Sequence, residues 1–275
     1  MKIKKNFGDI LYQVGAIILG LIVLTPILYA LSVSFMHPEE ILSKDVHLLP
    51  RSFYLGNYIA AFRKTTLVRF LLNSLIMTLG AATVRLVTAS TAAFAFSFFE
   101  FKGKRLLFTL ALGTMMIPPD LLIVKNYGTV ARMGLINTYL GMMIIFFVTA
   151  MNIFVMRQYF LSFSRTIYEA AMIDGCSNLM FFMRVLLPSS KPVLITTFIS
   201  SFVGVWNQYL WPLLVTNQNE MRTAQVAVTL LNFPDESPHG IIMVAAIMIV
   251  IPTVVVFVAF QRYIKKGMMA GGVKG

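Results

Sequence analysis

Six stretches of this chain are apolar over about the 20 residues that a helix needs to cross a bilayer, and no other feature limits its fold as strongly. They cover roughly 10–35, 70–98, 106–124, 138–157, 193–215 and 240–261. Backbone in lipid must pair every N–H and C=O within its own segment or in a closed barrel. These runs are too long and too continuously apolar for barrel strands. The sequence therefore predicts an all-α, polytopic membrane protein with six transmembrane helices, forming one transmembrane domain over residues 1–275. Composition agrees: 58% of residues are hydrophobic and 12% charged, about half the charge of a soluble domain. A net charge of +12 would point to nucleic acid in a soluble protein, but here the basic residues fall between the apolar runs, where they set topology and meet headgroups. The first run has a basic head and an Ala30-Leu31-Ser32 that loosely resembles a cleavage site; its length favours an uncleaved first helix.

Orientation follows from lysine and arginine. With the N-terminus inside, the inner side carries Lys2, Lys4 and Lys5; Lys102, Lys104 and Arg105; Arg157, Arg165, Arg184 and Lys191; and Arg262, Lys265, Lys266 and Lys274. The outer side carries fewer: Lys44, Arg51, Arg63, Lys64, Arg69, Lys125, Arg132 and Arg222. Acids are concentrated outside (Glu39, Glu40, Asp45, Asp120, Glu220, Asp235, Glu236), so both termini are expected to be cytoplasmic. The outer segment 36–69 holds either a short interfacial helix around 56–64 or a plain connection.

One inner loop is unusually polar and segmented: "YEAAMIDGCSNLMFFMRVLLPSSKP", residues 168–192. Ala170 and Ala171 favour a helix, Gly175 supplies a left-handed stop, Ser177 can cap a second helix, and Pro188 is expected to end it. The result is a cytoplasmic helix-turn-helix over 165–188. On physics alone it is a docking element for another protein or an amphipathic loop lying on lipid.

The order Glu169-Ala170-Ala171, three residues, Gly175, nine residues, Val185, one residue, Leu187-Pro188 resembles the EAA loop of ABC-importer permeases, with Val185 where that family commonly has Ile. Asp174-Gly175-Cys176 stands where it commonly has Asp-Gly-Ala, and the proline frequent just before the motif is absent. "WNQYLWPLLVTNQNEMRT" (206–223) and "QRYIKKGMMAGGVKG" (261–275) are similar to carbohydrate-uptake members of the family, so the resemblance spans the chain. It implies a coupling helix formed by Glu169, Ala170, Ala171, Asp174, Gly175, Leu187 and Pro188, docked on a cytoplasmic ATPase. It also implies a second permease subunit, two ATPase subunits and an extracytoplasmic solute-binding protein in a bacterial inner membrane. The expected mechanism is alternating access. ATP and Mg belong to the partner ATPase, and no cofactor is expected in this chain: G-x-x-x-x-G-K-[ST] is missing, and "KGKR" at 102–105 lacks its glycine frame. No metal site is expected either, since His37, His47 and His239 are scattered and H-E-x-x-H is absent.

An ionisable group inside a span is a functional candidate by default, and Arg85 is the clear one. It either meets an anionic solute, whose phosphate a guanidinium matches bidentately, or pairs structurally with a partner's acid or with backbone carbonyls. Asn152, Trp206, Asn207, Gln208 and Tyr209 offer hydrogen bonds and an aromatic face to a solute, or pack helices together. Pro118 and Pro119 are expected to kink or end the third helix near the outer face. The resemblance favours glycerol-3-phosphate or a glycerophosphodiester as solute, with a neutral oligosaccharide as the alternative. A homodimeric secondary carrier is the rival of another class and leaves the coupling loop unexplained. A membrane-embedded enzyme would need clustered acids or histidines at one membrane face.

Overall fold

The computed structural model describes residues 7–64, 66–229 and 239–272, and in these stretches every regular element is helical. In chain order they are α1 (Phe7–Ser34), α2 (Gly56–Lys64), α3 (Leu67–Phe98), α4 (Lys104–Gly113), α5 (Ile123–Arg132), α6 (Tyr139–Met143), α7 (Ala150–Leu161), α8 (Arg165–Ile173), α9 (Lys191–Trp206), α10 (Leu210–Val215), α11 (Ala224–Thr229) and α12 (His239–Gly272), with a helical stretch Asn178–Ser189 before α9 and short single turns elsewhere. Of the charges used above for orientation, Lys2, Lys4, Lys5, Asp235, Glu236 and Lys274 lie outside the described residues, as do the side chains of Lys64, Lys265 and Lys266.

α1, α3 and α12 are long and apolar enough to cross a membrane unbroken, and Pro26 and Pro252 sit inside α1 and α12 without ending them. The other apolar runs are divided. The run 106–124, read from sequence as one span, ends at Met116; the chain turns by 92° and continues as Pro119–Arg132. Two consecutive prolines supply the cause, since neither can donate to a helix ladder. The run 138–157 is split into Tyr139–Phe146 and Ala150–Leu161, bent by 52°. The run 193–215 is likewise not one helix: α9 stops at Trp206, Asn207–Tyr209 leave the helix, and α10 resumes for one and a half turns.

The chain forms two compact units, Met1–Val68 with Ala227–Ile251, and Arg69–Val226 with Pro252–Gly275. In the first, the segment 56–64 is a helix and not a plain connection. Asn57 is buried at its start, and Nδ2 donates to the carbonyls of Ser34 (3.0 Å), the last residue of α1, and Met36 (2.8 Å) just beyond it. A Cβ at Gly240 would lie 2.5 Å from the Asn57 amide, so only glycine lets α12 approach there.

Three buried clusters stand out among the described residues of the second unit. Ala89, Ala93, Phe94 and Phe98 of α3 meet Ile153, Met156 and Phe160 of α7, Phe181, Phe182 and Leu186, and Val193 of α9. Met77 and Ala81 of α3 meet Val130, Met142, Val205, Trp211 and Val215. Ala82 meets Phe202 and Trp206, whose rings stack at 5.9 Å and 7°. Lipid tails are as apolar as these side chains, so helix association rests on close packing. The fully buried alanines 81, 82, 89 and 93 give α3 the slim surface that such packing requires.

Candidate functional site

The loop after α7 folds as its residues predict, with one difference. α8 carries Glu169, Ala170 and Ala171; Gly175 takes φ +82°; and the Ser177 hydroxyl accepts from Met180 N at 3.2 Å to start the next helix. The expected stop at Pro188 is corrected. The helix runs Asn178–Phe181, widens into a π turn over Phe182–Leu186, and passes through Pro188 to Ser189. A proline clashes with the carbonyl four residues before it, here Arg184, and the wider turn relieves that contact. The chain then bends by 80° into α9.

The loop has a packed face and an exposed one. Tyr168, Ala171, Met172 and Cys176 lie against the first cluster; Tyr168 sits 5.0 Å from both Phe98 and Phe181, and its hydroxyl donates to Asn178 Oδ1 at 2.6 Å, tying the two helices. Glu169, Ala170, Asp174 and Gly175 are exposed, beside Ile173 at 86% and Leu179 at 69%. Leu187 is half-buried against the first cluster and Pro188 is exposed. Among the described residues, Glu169 pairs only with Arg165, at 3.6 Å on the same helix face. An exposed i,i+4 pair contributes a few tenths of a kcal/mol, so the carboxylate is open to a basic partner. The outward surface therefore combines a small-residue platform, an acid and bare apolar side chains, held rigidly from beneath by aromatic rings.

Inside the spans, Arg85 Nε donates to Phe146 O at 2.6 Å, and its guanidinium carbon lies 5.8 Å from the Phe146 ring centroid. One turn along α3, the Thr88 hydroxyl donates to Phe147 O at 2.6 Å. Both carbonyls belong to the break between α6 and α7, so of the two roles considered for Arg85 the backbone-carbonyl contact is present. Asn152 Nδ2 donates to Ser201 Oγ at 2.7 Å and joins α7 to α9. Trp206 is buried, and its carbonyl accepts from Gln225 Nε2. Asn207 and Tyr209 are exposed at the α9–α10 break, while Gln208 is half-buried and donates to Gly204 O at 3.3 Å. Arg85 and Asn152 thus flank one helix break, and 206–209 form another.

Sequence reasoning missed two asparagines that order the segment 216–223. Asn73 is buried on α3; Nδ2 donates to Glu220 O (2.8 Å) and Arg222 O (2.9 Å), and Oδ1 accepts from the Tyr139 hydroxyl (2.6 Å). Asn137, at φ +58°, donates its backbone N–H to Val215 O, and its Oδ1 accepts from Asn217 N at 2.8 Å and Gln218 N at 3.2 Å. The signal for Asn73 was its place within an apolar run; an asparagine three residues past a glycine, as Asn137 is, looks like any turn residue.

Among known proteins, the chain is 33% identical to the sn-glycerol-3-phosphate transport system permease protein UgpE of Rhizobium meliloti (strain 1021), over 97% of this chain and 98% of that one. It is 30% identical to the arabinooligosaccharides transport system permease protein AraQ of Halalkalibacterium halodurans, over 96% of each. In fold it is similar to a chain of a crystallised bacterial ABC transporter involved in the import of the acidic polysaccharide alginate, with a TM-score of 0.85 and 24% identity, covering 96% of this chain and 98% of that one. The family model for the inner membrane component of binding-protein-dependent transport systems matches residues 53–270. With that match across most of its length, and with the loop and broken spans just described, this chain belongs to the family of inner membrane components of binding-protein-dependent transport systems.

Proposed function

We propose that this chain is the transmembrane permease subunit of an ATP-driven importer, paired with a second permease, two cytoplasmic ATPase subunits and an extracytoplasmic solute-binding protein, with both its termini in the cytoplasm. The observation that carries the reading is the loop 165–189: an exposed Glu169-Ala170 platform with Ile173 and Leu179, stiffened beneath by Phe98, Tyr168 and Phe181. A surface of that kind suits a socket for another protein. Glu169, Ala170, Ala171, Asp174, Gly175, Leu187 and Pro188 form the coupling element, and ATP with Mg acts on the partner ATPase.

The solute is a carbohydrate or a sugar-phosphate-like molecule, with glycerol-3-phosphate or a glycerophosphodiester favoured over a neutral oligosaccharide. Two things support this order. The chain is similar over nearly all its length to a glycerol-3-phosphate permease. Arg85 spends one N–H on Phe146 O, and its two terminal guanidinium nitrogens make no hydrogen bond among the described residues. A guanidinium of this kind suits a phosphate. Asn152, Trp206, Asn207, Gln208 and Tyr209 are the accompanying pathway residues.

The test is gentle purification of the tagged chain from its own membrane, followed by reconstitution of whatever remains bound into vesicles. An ATPase and a second permease in fixed ratio, with ATP-dependent uptake of a glycerol phosphate, is the expected result. Uptake of only neutral oligosaccharides overturns the solute assignment. Recovery of the chain alone or as a homodimer, with uptake that follows an ion gradient, overturns the importer.

A further inference from the structure

The break between α6 and α7 has no local cause. Its residues are Phe147, Val148 and Thr149, with neither proline nor glycine among them, and Thr149 makes no side-chain cap to α7. In one continuous helix Phe146 O and Phe147 O would accept from the N–H groups of Ala150 and Met151. Instead they accept from Arg85 and Thr88, two side chains one turn apart on α3. Unpaired carbonyls at membrane depth cost several kcal/mol each, so without these two donors the break would close into helix. Residues 139–161 hold no proline, and their one glycine, Gly141, already sits inside α6, so nothing in the sequence forbids closing.

The break also separates two packing groups. α7 belongs to the cluster that carries the loop 165–189, through Ile153, Met156 and Phe160, while α6 belongs to the second cluster, through Met142. α3 runs through both clusters, so one rigid helix holds the aromatic seat of the loop at Phe94 and Phe98 and the two donors at Arg85 and Thr88.

We propose that residues 147–149 are a switchable joint, held open by Arg85 and Thr88, which anneals into a continuous 139–161 helix when α3 shifts and withdraws those donors. A shift of the loop 165–189 relative to α6 is what moves the latch. Arg85 acts here as a positioning residue, and this role stands beside its proposed contact with solute.

The experiment is hydrogen–deuterium exchange of peptides covering 146–152, in the purified complex held in lipid nanodiscs. In the wild type without nucleotide, the amides of Ala150 and Met151 exchange as an uncapped helix start. Arg85→Met lets the joint close and slows them by roughly tenfold, the factor expected for one added backbone hydrogen bond. Arg85→Lys, which can still donate to Phe146 O, keeps the fast exchange, whereas a mere loss of packing would speed exchange in both variants. Trapping the wild type with ATP and vanadate moves these two amides toward the Arg85→Met value. Equal exchange in wild type and Arg85→Met, or no change on trapping in a complex shown to hydrolyse ATP, overturns the joint. Where no ATPase co-purifies, the importer reading falls while the comparison of Arg85→Met with wild type still decides the latch. Where Arg85→Met does not assemble, Thr88→Val replaces it under the same criterion.

Discussion

Replacing Phe181 by alanine should disconnect the exposed loop from the spans while leaving the chain in the membrane. Phe181 is fully buried, and its ring meets Tyr168 at 5.0 Å, Phe98 at 5.6 Å and Phe163 at 6.1 Å. Removing a ring from such a seat costs about 3–5 kcal/mol, the lost contacts plus the void they leave. That is roughly a hundred- to several-thousand-fold in the balance between a seated and an unseated loop. The spans do not share the loss, because each inserts by its own apolar length. In nanodiscs, exchange of amides over 165–177 should accelerate by at least about tenfold, and ATP hydrolysis should lose its dependence on solute. Phe181→Leu should fall between, since it keeps part of the apolar volume. Unchanged exchange together with unchanged uptake in Phe181→Ala would show that the aromatic seat does not hold the loop.

Gly175, at φ +82°, should tolerate alanine at a cost of about 1–2 kcal/mol and should reject proline, whose φ is fixed near −65°; uptake by Gly175→Ala and loss of the bound ATPase in Gly175→Pro are the expected readings. Glu169→Lys places a second cation beside Arg165 on the outward surface and should weaken ATPase retention without lowering the amount of chain in the membrane. Asn73→Leu strands the Arg222 carbonyl and the Tyr139 hydroxyl, while Glu220 O keeps its bond from Arg69 Nε, and should lower stability by about 2 kcal/mol, seen as a lower thermal midpoint of the solubilised complex. Alanine at Asn152, at Ser201 and at both should give a coupling near 0.6 kcal/mol, as for other hydrogen bonds within membranes; lost uptake in a fully assembled Asn152→Ala complex would instead give Asn152 a part in handling solute.

The helices and the loop were legible because their causes are local. Apolar length marks a span, Gly175 marks a turn, Ser177 marks a start, and Pro118-Pro119 mark a stop. The breaks at 147–149 and 207–209 were not legible. Arg85 and Thr88, which satisfy the first, lie about sixty residues upstream of it, and Gln225, which holds the carbonyl of Trp206 at the second, comes later in the chain. Hydropathy sees Phe147-Val148-Thr149 as ordinary spanning sequence, since only a partner far along the chain makes a bend there affordable. The site candidates divided in the same way. Glu169 and Ala170 face outward because of their own helix phase, whereas the contacts of Arg85, Asn152 and Trp206 depend on which helix each meets. The role of Asn73 also needed the fold: it serves carbonyls almost 150 residues away.

The π turn at Phe182–Leu186 has a consequence for length rather than identity. A π turn is in effect one residue inserted into an α-helix, and one residue is about 100° of helical phase. It lets Phe181, Phe182 and Leu186 all face inward before the chain reaches Pro188. Deleting a single residue between Met183 and Val185 would leave an ordinary helix of ordinary composition, yet it would rotate everything before the cut against everything after it. The aromatic seat and α9 would then no longer point the same way. The count of residues between Gly175 and Pro188 therefore carries as much of the design as the letters do.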